Sequence, residues 1–136
     1  MSLCVQLELK NRKVLIVGGG HVALRKTKLF LREGAKVTIV APDILKELYA
    51  LAQCHKRAFT QDDVLDAFLV VAASNDAEVN GKVRQAAQQA NVLFMNVEAD
   101  LQSDVHAMSY IEDAYYAVAF TTKGNSPCYA KQVLES

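Results

Sequence analysis

Short apolar runs alternate with longer segments of helical periodicity from residue 13 to about residue 97. The apolar runs at 14–17, 36–40, 56–59, 67–73 and 92–97 predict five strands, because β-branched residues favour buried strands. Apolar residues three and four positions apart predict helices at about 21–33 and 76–90, and a shorter one that begins near 42–43. Regular alternation of strand and helix predicts an α/β fold, a doubly wound parallel sheet of the Rossmann type.

The pattern differs at the two ends of the chain. Residues 3–9 alternate apolar and polar, which predicts a half-buried edge strand. Residues 98–113 are polar and irregular, and the β-rich run at 115–122 precedes a helix predicted from residue 128. An exposed apolar strand favours association, so we expect this run to pair across a homodimer. The sequence therefore predicts a Rossmann NAD-binding domain at 1–113 and, at 114–136, the start of a truncated β-plus-helix dimerisation segment.

Three glycines follow the first predicted strand. Gly18, Gly20 and Ala23 have the spacing of the dinucleotide-binding fingerprint in its Gly/Ala form. Gly18 permits the turn, Gly20 lets a pyrophosphate approach the backbone, and Ala23 lets the helix pack closely on the strand. The free N–H groups at the helix start then face the anion. Arg25, Lys28 and Arg32 fall on one side of this helix and either form a solvated face, or Arg25 or Lys26, near the helix start, adds positive potential beside the phosphate.

Two later segments extend this prediction. Asp43 follows the second strand slightly later than the acid that usually binds a ribose, so it either contacts the ribose or caps the next helix. Ser74 and Asn75 follow the strand at 67–73, where ligand crevices lie in doubly wound sheets. Asn75 and Glu78 also have the spacing of a capping box, and both roles are compatible.

Composition excludes several classes of function. The 136 residues carry 15 basic and 15 acidic side chains, so no charge imbalance indicates a nucleic-acid partner. No apolar run approaches the ~18 residues of a membrane span, and no signal-peptide pattern is present. Three widely spaced cysteines are typical of reduced thiols in a cytoplasmic protein, and we assign no metal site to them.

Several stretches, taken together, resemble one protein family. Residues 13–26 read Lys-Val-Leu-Ile-Val-Gly-Gly-Gly-His-Val-Ala-Leu-Arg-Lys, and residues 34–42 read Gly-Ala-Lys-Val-Thr-Ile-Val-Ala-Pro. Residues 72–76 read Ala-Ala-Ser-Asn-Asp, and residues 119–127 read Ala-Phe-Thr-Thr-Lys-Gly-Asn-Ser-Pro. In this order, over nearly the whole chain, they resemble precorrin-2 dehydrogenases, which also form the N-terminal module of siroheme synthase and often double as sirohydrochlorin ferrochelatases.

The resemblance implies a reaction, a cofactor and a tetrapyrrole partner. Family members oxidise precorrin-2 to sirohydrochlorin by hydride transfer to NAD, and some then insert ferrous iron. The absence of a basic residue at 41–43 favours NAD over NADP, although Lys46 lies nearby. The positions that match are His21 and Val22 at the NAD pyrophosphate and nearby ribose, Pro42 and Asp43 at the adenosine, and Ser74 and Asn75 on the nicotinamide side.

The chain departs from the family at the aspartate to which proton transfer and chelation are assigned. That position is Ala99, which can neither exchange a proton nor bind a metal. Three residues near Ala99 in the sequence could take over the role of the missing aspartate: Glu98, Asp100 and His106. We take Asp100 and His106 as the candidate catalytic residues. Asp100, Asp104 and His106 also suggest a chelatase site, against the simpler interpretation of a solvated loop.

Three functions follow from these patterns. The first is NAD-dependent oxidation of precorrin-2 in siroheme biosynthesis, with or without ferrochelatase activity. The second is a diverged, non-catalytic module that binds NAD and a tetrapyrrole, which Ala99 favours. The third is an unrelated NAD-sensing regulatory domain.

Overall fold

The computed structural model describes residues 2–97 and 102–120. Within these residues the chain forms two units, one of residues 7–97 and 102–105 and one of residues 2–6 and 106–120. The first unit contains five strands, three α-helices and one 3₁₀ turn. They are β1 (Lys13–Val17), α1 (His21–Arg32), β2 (Lys36–Ala41), α2 (Lys46–Tyr49), β3 (Gln53–Lys56), a 3₁₀ turn (Gln61–Val64), β4 (Leu69–Ala72), α3 (Ala77–Ala90) and β5 (Leu93–Asn96).

The five strands form one parallel sheet in the order β3-β2-β1-β4-β5. Successive residues of β1 face opposite sides, so Ile16 belongs to one apolar cluster and Leu15 to the other. Phe30 of α1 and Leu48 of α2 cover the first face, and Val83 of α3 helps to cover the second. The predicted Rossmann-type α/β fold is confirmed.

Helix ends follow local capping chemistry. The N-cap of α3 is Asp76, whose Oδ1 accepts a hydrogen bond from the Glu78 amide at 3.0 Å. The prediction that Asn75 caps this helix is therefore wrong by one position. Asn91 ends α3 in the left-handed conformation at φ 57°, which asparagine tolerates better than most residues. No helix in the described part of the chain is long and apolar enough to cross a membrane.

Three predicted segments differ in the structure. Residues 3–9 form no strand, although their alternation predicted one. The second helix begins at Lys46 and has 4 residues, so its predicted start at 42–43 is wrong. The third strand lies at Gln53–Lys56, where it pairs with β2, instead of at 56–59.

Residues 102–105 lie along the outer edge of β5. The Ser103 hydroxyl accepts the Asn96 amide at 2.8 Å, and the Asp104 amide donates to the Phe94 carbonyl at 2.8 Å. The Asp104 carboxylate in turn accepts the Phe94 amide at 3.1 Å. This segment satisfies backbone groups that an edge strand would otherwise leave unpaired.

The second unit contains an antiparallel hairpin of β6 (Ser109–Glu112) and β7 (Ala117–Phe120). Its turn is held by Asp113, whose carboxylate accepts the amides of Tyr115 and Tyr116 at 2.8 and 3.0 Å. The predicted irregular region up to residue 113 thus includes a strand. The β-rich run predicted at 115–122 is a strand at Ala117–Phe120, and its last two residues lie outside the described residues.

One ion pair before β4 predicts a measurable pH dependence. Asp63 accepts the Thr60 amide at 2.8 Å and two guanidinium bonds from Arg57 at 2.6 and 2.9 Å. These hydrogen bonds, above all those from Arg57, lower the pKa of the Asp63 carboxyl. We expect Asp63→Ala to reduce the free energy of unfolding by about 1–2 kcal/mol at pH 7, measured by urea denaturation.

The sign of the pH effect follows from the lowered pKa. The stabilisation from Asp63 is present above the unfolded pKa of about 3.9 and is lost as the pH falls through the lower folded pKa. The difference in the free energy of unfolding between wild type and Asp63→Ala should therefore become smaller as the pH is lowered. Asp66→Ala is the matched control, since the exposed Lys13–Asp66 pair at 3.1 Å should contribute less than about 1 kcal/mol. A larger loss for Asp66→Ala than for Asp63→Ala would contradict this assignment.

Candidate cofactor-binding site

The glycine loop lies at the point where the strand order reverses. The sheet runs outward from β1 through β2 to β3 on one side and through β4 to β5 on the other. Loops that leave the carboxyl ends of β1 and β4 diverge to opposite faces of such a sheet, and a ligand crevice opens between them. The six residues that the family resemblance predicts to contact NAD all lie in the segments that follow β1, β2 and β4.

Gly18 is required by its backbone and by its neighbours. Its φ of 139° is one that residues with a side chain rarely adopt. A Cβ built on Gly18 would overlap the Ala73 carbonyl oxygen and would lie 2.6 Å from the Ala73 carbon and 3.0 Å from the Ser74 nitrogen. The Gly18 amide donates to the Val40 carbonyl at 3.1 Å, so the turn is held between β2 and the end of β4.

Gly20 leaves open space at the N-terminus of α1. It is the N-cap of that helix, no described side chain caps the helix start, and its first turn contains no acidic residue. A Cβ on Gly20 would meet no described heavy atom within 4 Å. His21 and Val22 are the first two residues of the helix. An uncapped helix start beside open space has the hydrogen-bond donors and the dipole that a phosphate group needs.

Cationic side chains lie on the first two turns of the same helix. Burial and, to a smaller extent, the neighbouring Arg25 guanidinium lower the pKa of the half-buried Lys26 ammonium. A nearby anion would offset both effects, because it favours the charged form. The local charge therefore fits a pyrophosphate better than it fits a neutral ligand.

Gly19 is a constraint that sequence reasoning missed. A Cβ there would overlap the Asp43 carbonyl oxygen and would lie 2.8 Å from the Ile44 Cα. The Leu45 amide also donates to the Gly19 carbonyl at 2.8 Å. The glycine loop thus packs directly on the segment after β2, and the run of three glycines was the only local indication of this contact.

Pro42 and Asp43 are exposed in the segment that follows β2. Since the N-cap of α2 is Leu45 and makes no side-chain capping bond, the alternative in which Asp43 caps that helix is wrong. The ribose role of Asp43 stays a prediction. Asp43 is an acid that follows β2, although it comes slightly later than the acid of the fingerprint.

Ser74 and Asn75 follow β4, beside the glycine loop. Ser74 is half-buried, and its hydroxyl accepts the Asp76 amide at 3.0 Å. Asn75 is exposed, and no hydrogen bond within the described residues holds its side chain. The structure therefore brings Ser74 close to Gly18 and leaves the Asn75 amide available to a ligand.

The two candidate catalytic residues are placed differently. Asp100, with Glu98 and Ala99, lies outside the described residues. His106 is exposed and belongs to the second unit. Asp104 uses its carboxylate to accept the Phe94 amide, and no group of three potential metal ligands occurs among residues 2–97 and 102–120.

A depression of about 270 Å³ lies at the other end of the sheet, by the first residues of β1, β2 and β3. Its charged lining is already paired in part, since Lys13 contacts Asp66 at 3.1 Å and Arg57 contacts Asp63 at 2.6 Å. Ligands of doubly wound sheets bind at the carboxyl ends of the strands. The depression is therefore distinct from the cofactor site.

Comparison with known proteins agrees with this geometry. Residues 5–109 match a family model described as putative NAD(P)-binding. The chain is 32% identical to the precorrin-2 dehydrogenase of Bacillus subtilis, over 98% of this chain and 85% of that protein. It is 38% identical to the siroheme synthase of Tolumonas auensis over 93% of this chain, but it spans only 28% of that protein.

A solved structure of SirC, a precorrin-2 dehydrogenase, superimposes with a TM-score of 0.80 and 31% identity, over 98% of this chain and 68% of that one. Sequence and fold therefore agree over nearly the full length of the chain. On these grounds the chain belongs to the precorrin-2 dehydrogenase family.

Proposed function

We propose that this protein oxidises precorrin-2 to sirohydrochlorin, with NAD as the acceptor. The observation that supports this most directly is the open, uncapped start of α1 at Gly20, located where the strand order reverses. Relatives that match almost the whole chain carry the same activity in their names. The third hypothesis, an unrelated regulatory domain, does not fit membership of this family.

The residues have separate roles in this proposal. The amides at the start of α1, from His21 and Val22, bind the pyrophosphate, and Gly18 and Gly20 keep side chains out of its way. NAD bound there supplies the hydride acceptor, while the fold positions its ring against the substrate. The remaining contacts are Pro42 and Asp43 at the adenosine and Ser74 and Asn75 at the nicotinamide.

Oxidation removes a hydride and a proton from the tetrapyrrole. The proton needs an acceptor within hydrogen-bond reach, and Ala99 provides none. We assign this role to Asp100 or His106. Full turnover in an Asp100→Asn variant would leave His106 as the acceptor, and full turnover in a His106→Asn variant would leave Asp100.

Two measurements test the proposed function. Calorimetric titration should show that NAD binds and that NADP binds more weakly, because Asp43 repels a 2′-phosphate. Incubation with precorrin-2 and NAD should then produce the absorbance of sirohydrochlorin. A protein that binds neither nucleotide would overturn the proposal.

The second candidate function is a binding module that holds NAD and a tetrapyrrole without turnover. It is favoured by Ala99, which stands at the family's aspartate position. NAD binding with no sirohydrochlorin at any protein concentration would establish it. In that case Ala99→Asp should restore turnover, since it returns a carboxylate to the family position.

We also propose that the protein is a homodimer joined through residues 114–136, which include β7, together with β6, which pairs with β7. The hairpin supports this, because an isolated two-stranded sheet is only marginally stable in water. Its strands pair Ile111 with Val118, and each of these side chains is 45% exposed. A second copy would cover this apolar pair.

We propose a cytoplasmic location for the protein. Its support is chemical: Cys4 and Cys54 carry free thiols, as is usual in a reducing compartment. Fractionation of cells that produce the protein would test this. Recovery in a secreted fraction would contradict it.

A further inference from the structure

Asn80 is a fully buried amide on α3. Its side chain has 0% exposure, and it shares the buried face of the helix with Val83 and Ala87. A buried polar group is unfavourable unless it is hydrogen-bonded. Asn80 is the first buried residue of an otherwise apolar face, so its amide needs a specific hydrogen-bond partner.

That partner is the backbone of Ser74. The Asn80 Nδ2 donates to the Ser74 carbonyl at 2.9 Å, and the Ser74 amide donates to the Asn80 Oδ1 at 3.3 Å. Two bonds to one residue define both its position and its orientation. The same Ser74 nitrogen is the atom that a Cβ on Gly18 would approach to 3.0 Å, so Asn80 holds the segment after β4 beside the glycine loop.

The segment from Ser74 to Glu78 is also stabilised by hydrogen bonds between its own residues. The Ser74 hydroxyl accepts the Asp76 amide at 3.0 Å, and the Asp76 carboxylate accepts the Glu78 amide at 3.0 Å. Asn75, between them, has no side-chain hydrogen bond among the described residues and is exposed. The network leaves one amide free at the carboxyl end of β4, and Asn80 is its anchor in the core.

We propose that Asn80 is a positioning residue that holds the turn at Ser74 and Asn75 for the nicotinamide half of NAD. This role rests on the proposed function, since it acts on the same site. In a doubly wound sheet the loops on the β4 side serve the second mononucleotide, while those after β1 and β2 serve the first and the pyrophosphate. Loss of Asn80 should therefore affect one half of the cofactor selectively.

The test compares NAD with ADP-ribose, which lacks only the nicotinamide. In calorimetric titrations, Asn80→Ala should weaken NAD binding about tenfold and change ADP-ribose binding less than about twofold, because a misplaced contact acts only on the group that it touches. Asn80→Ser is the second variant if Asn80→Ala fails to fold, because it also removes the Nδ2 donor to the Ser74 carbonyl and buries no charge. It should weaken NAD binding selectively in the same way.

Val83→Ala is the matched control, because Val83 is also 0% exposed on the same face of α3. It should lower the melting temperature by creating a cavity and leave the ratio of NAD to ADP-ribose affinity unchanged. With NAD saturating, kcat for precorrin-2 oxidation should fall in Asn80→Ala and persist in Val83→Ala.

The outcomes separate the two proposals. Equal weakening of NAD and ADP-ribose in Asn80→Ala, or no weakening of either, overturns the positioning role and leaves the proposed function intact. A wild-type protein that binds neither ligand overturns the proposed function and this role with it.

Discussion

Gly18→Ala should lower the free energy of unfolding by more than about 3 kcal/mol and abolish NAD binding. Its φ of 139° is strained for any residue with a Cβ, which alone costs about 1–3 kcal/mol. The added carbon would also overlap the Ala73 carbonyl oxygen and lie 2.6 Å from the Ala73 carbon. These are backbone atoms of a buried strand end, so they cannot rotate away. Urea denaturation and calorimetric titration with NAD measure the two effects.

Two other glycines provide matched controls. Gly20→Ala should have a free energy of unfolding within about 1 kcal/mol of the wild-type value, because the φ of Gly20 is −95° and a Cβ there would meet no described atom within 4 Å. It should still weaken NAD binding at least about tenfold, since the methyl group would occupy the space proposed for the pyrophosphate. Gly81 is exposed and lies within α3, so Gly81→Ala should raise the free energy of unfolding by up to about 1 kcal/mol and leave NAD affinity unchanged. Wild-type NAD affinity in Gly20→Ala would show that the pyrophosphate lies elsewhere.

The double variant Ile111→Lys with Val118→Lys should raise the dissociation constant of the homodimer at least about 100-fold. The two side chains are direct partners across the hairpin and lie on one of its faces. Dimer formation would then bury two ammonium groups of each copy against those of the other copy, which is unfavourable because the charges lose their hydration and repel each other. Sedimentation equilibrium over a range of protein concentrations measures the change.

Ala117→Lys is the control for this pair. Ala117 pairs with Glu112 on the opposite face of the hairpin, where a new cation would have an acidic partner. We expect it to leave the dimer intact, and we expect NAD binding to survive in both variants, because the glycine loop belongs to the other unit. A wild-type protein that stays monomeric at all concentrations would overturn the dimer proposal.

Features that depend on neighbours in sequence were predictable. The apolar run of β1, the glycine turn and the start of α1 form one continuous βα unit, so their spacing alone predicted strand, turn and helix. Asn91 at the end of α3 was predictable for the same reason. Such features depend on backbone dihedrals and on bonds a few residues apart, which local residue types control.

Predictions failed where one local pattern allowed several outcomes. Asn75 and Asp76 are both good N-caps, so residue type alone did not decide between them, and in the structure it is Asp76 that accepts the Glu78 amide. Residues 3–9 alternate apolar and polar side chains as a strand does, but a strand also needs a neighbouring strand with which to form hydrogen bonds. Among the described residues no strand pairs with them. The start of α2 moved from residues 42–43 to Lys46 because the segment before it packs on the glycine loop.

The sequence by itself determined the α/β class, through its periodicity, and the family, through several matching stretches in one order. It also predicted where a pyrophosphate would bind, from one short glycine motif. Only the tertiary structure decided that Gly19 must admit the backbone of Asp43, and that Asn80 holds the backbone of Ser74. The first contact joins the segments that follow β1 and β2, and the second joins α3 to the turn that follows β4. Both depend on how these segments pack against each other, which the spacing of residues along the chain does not specify.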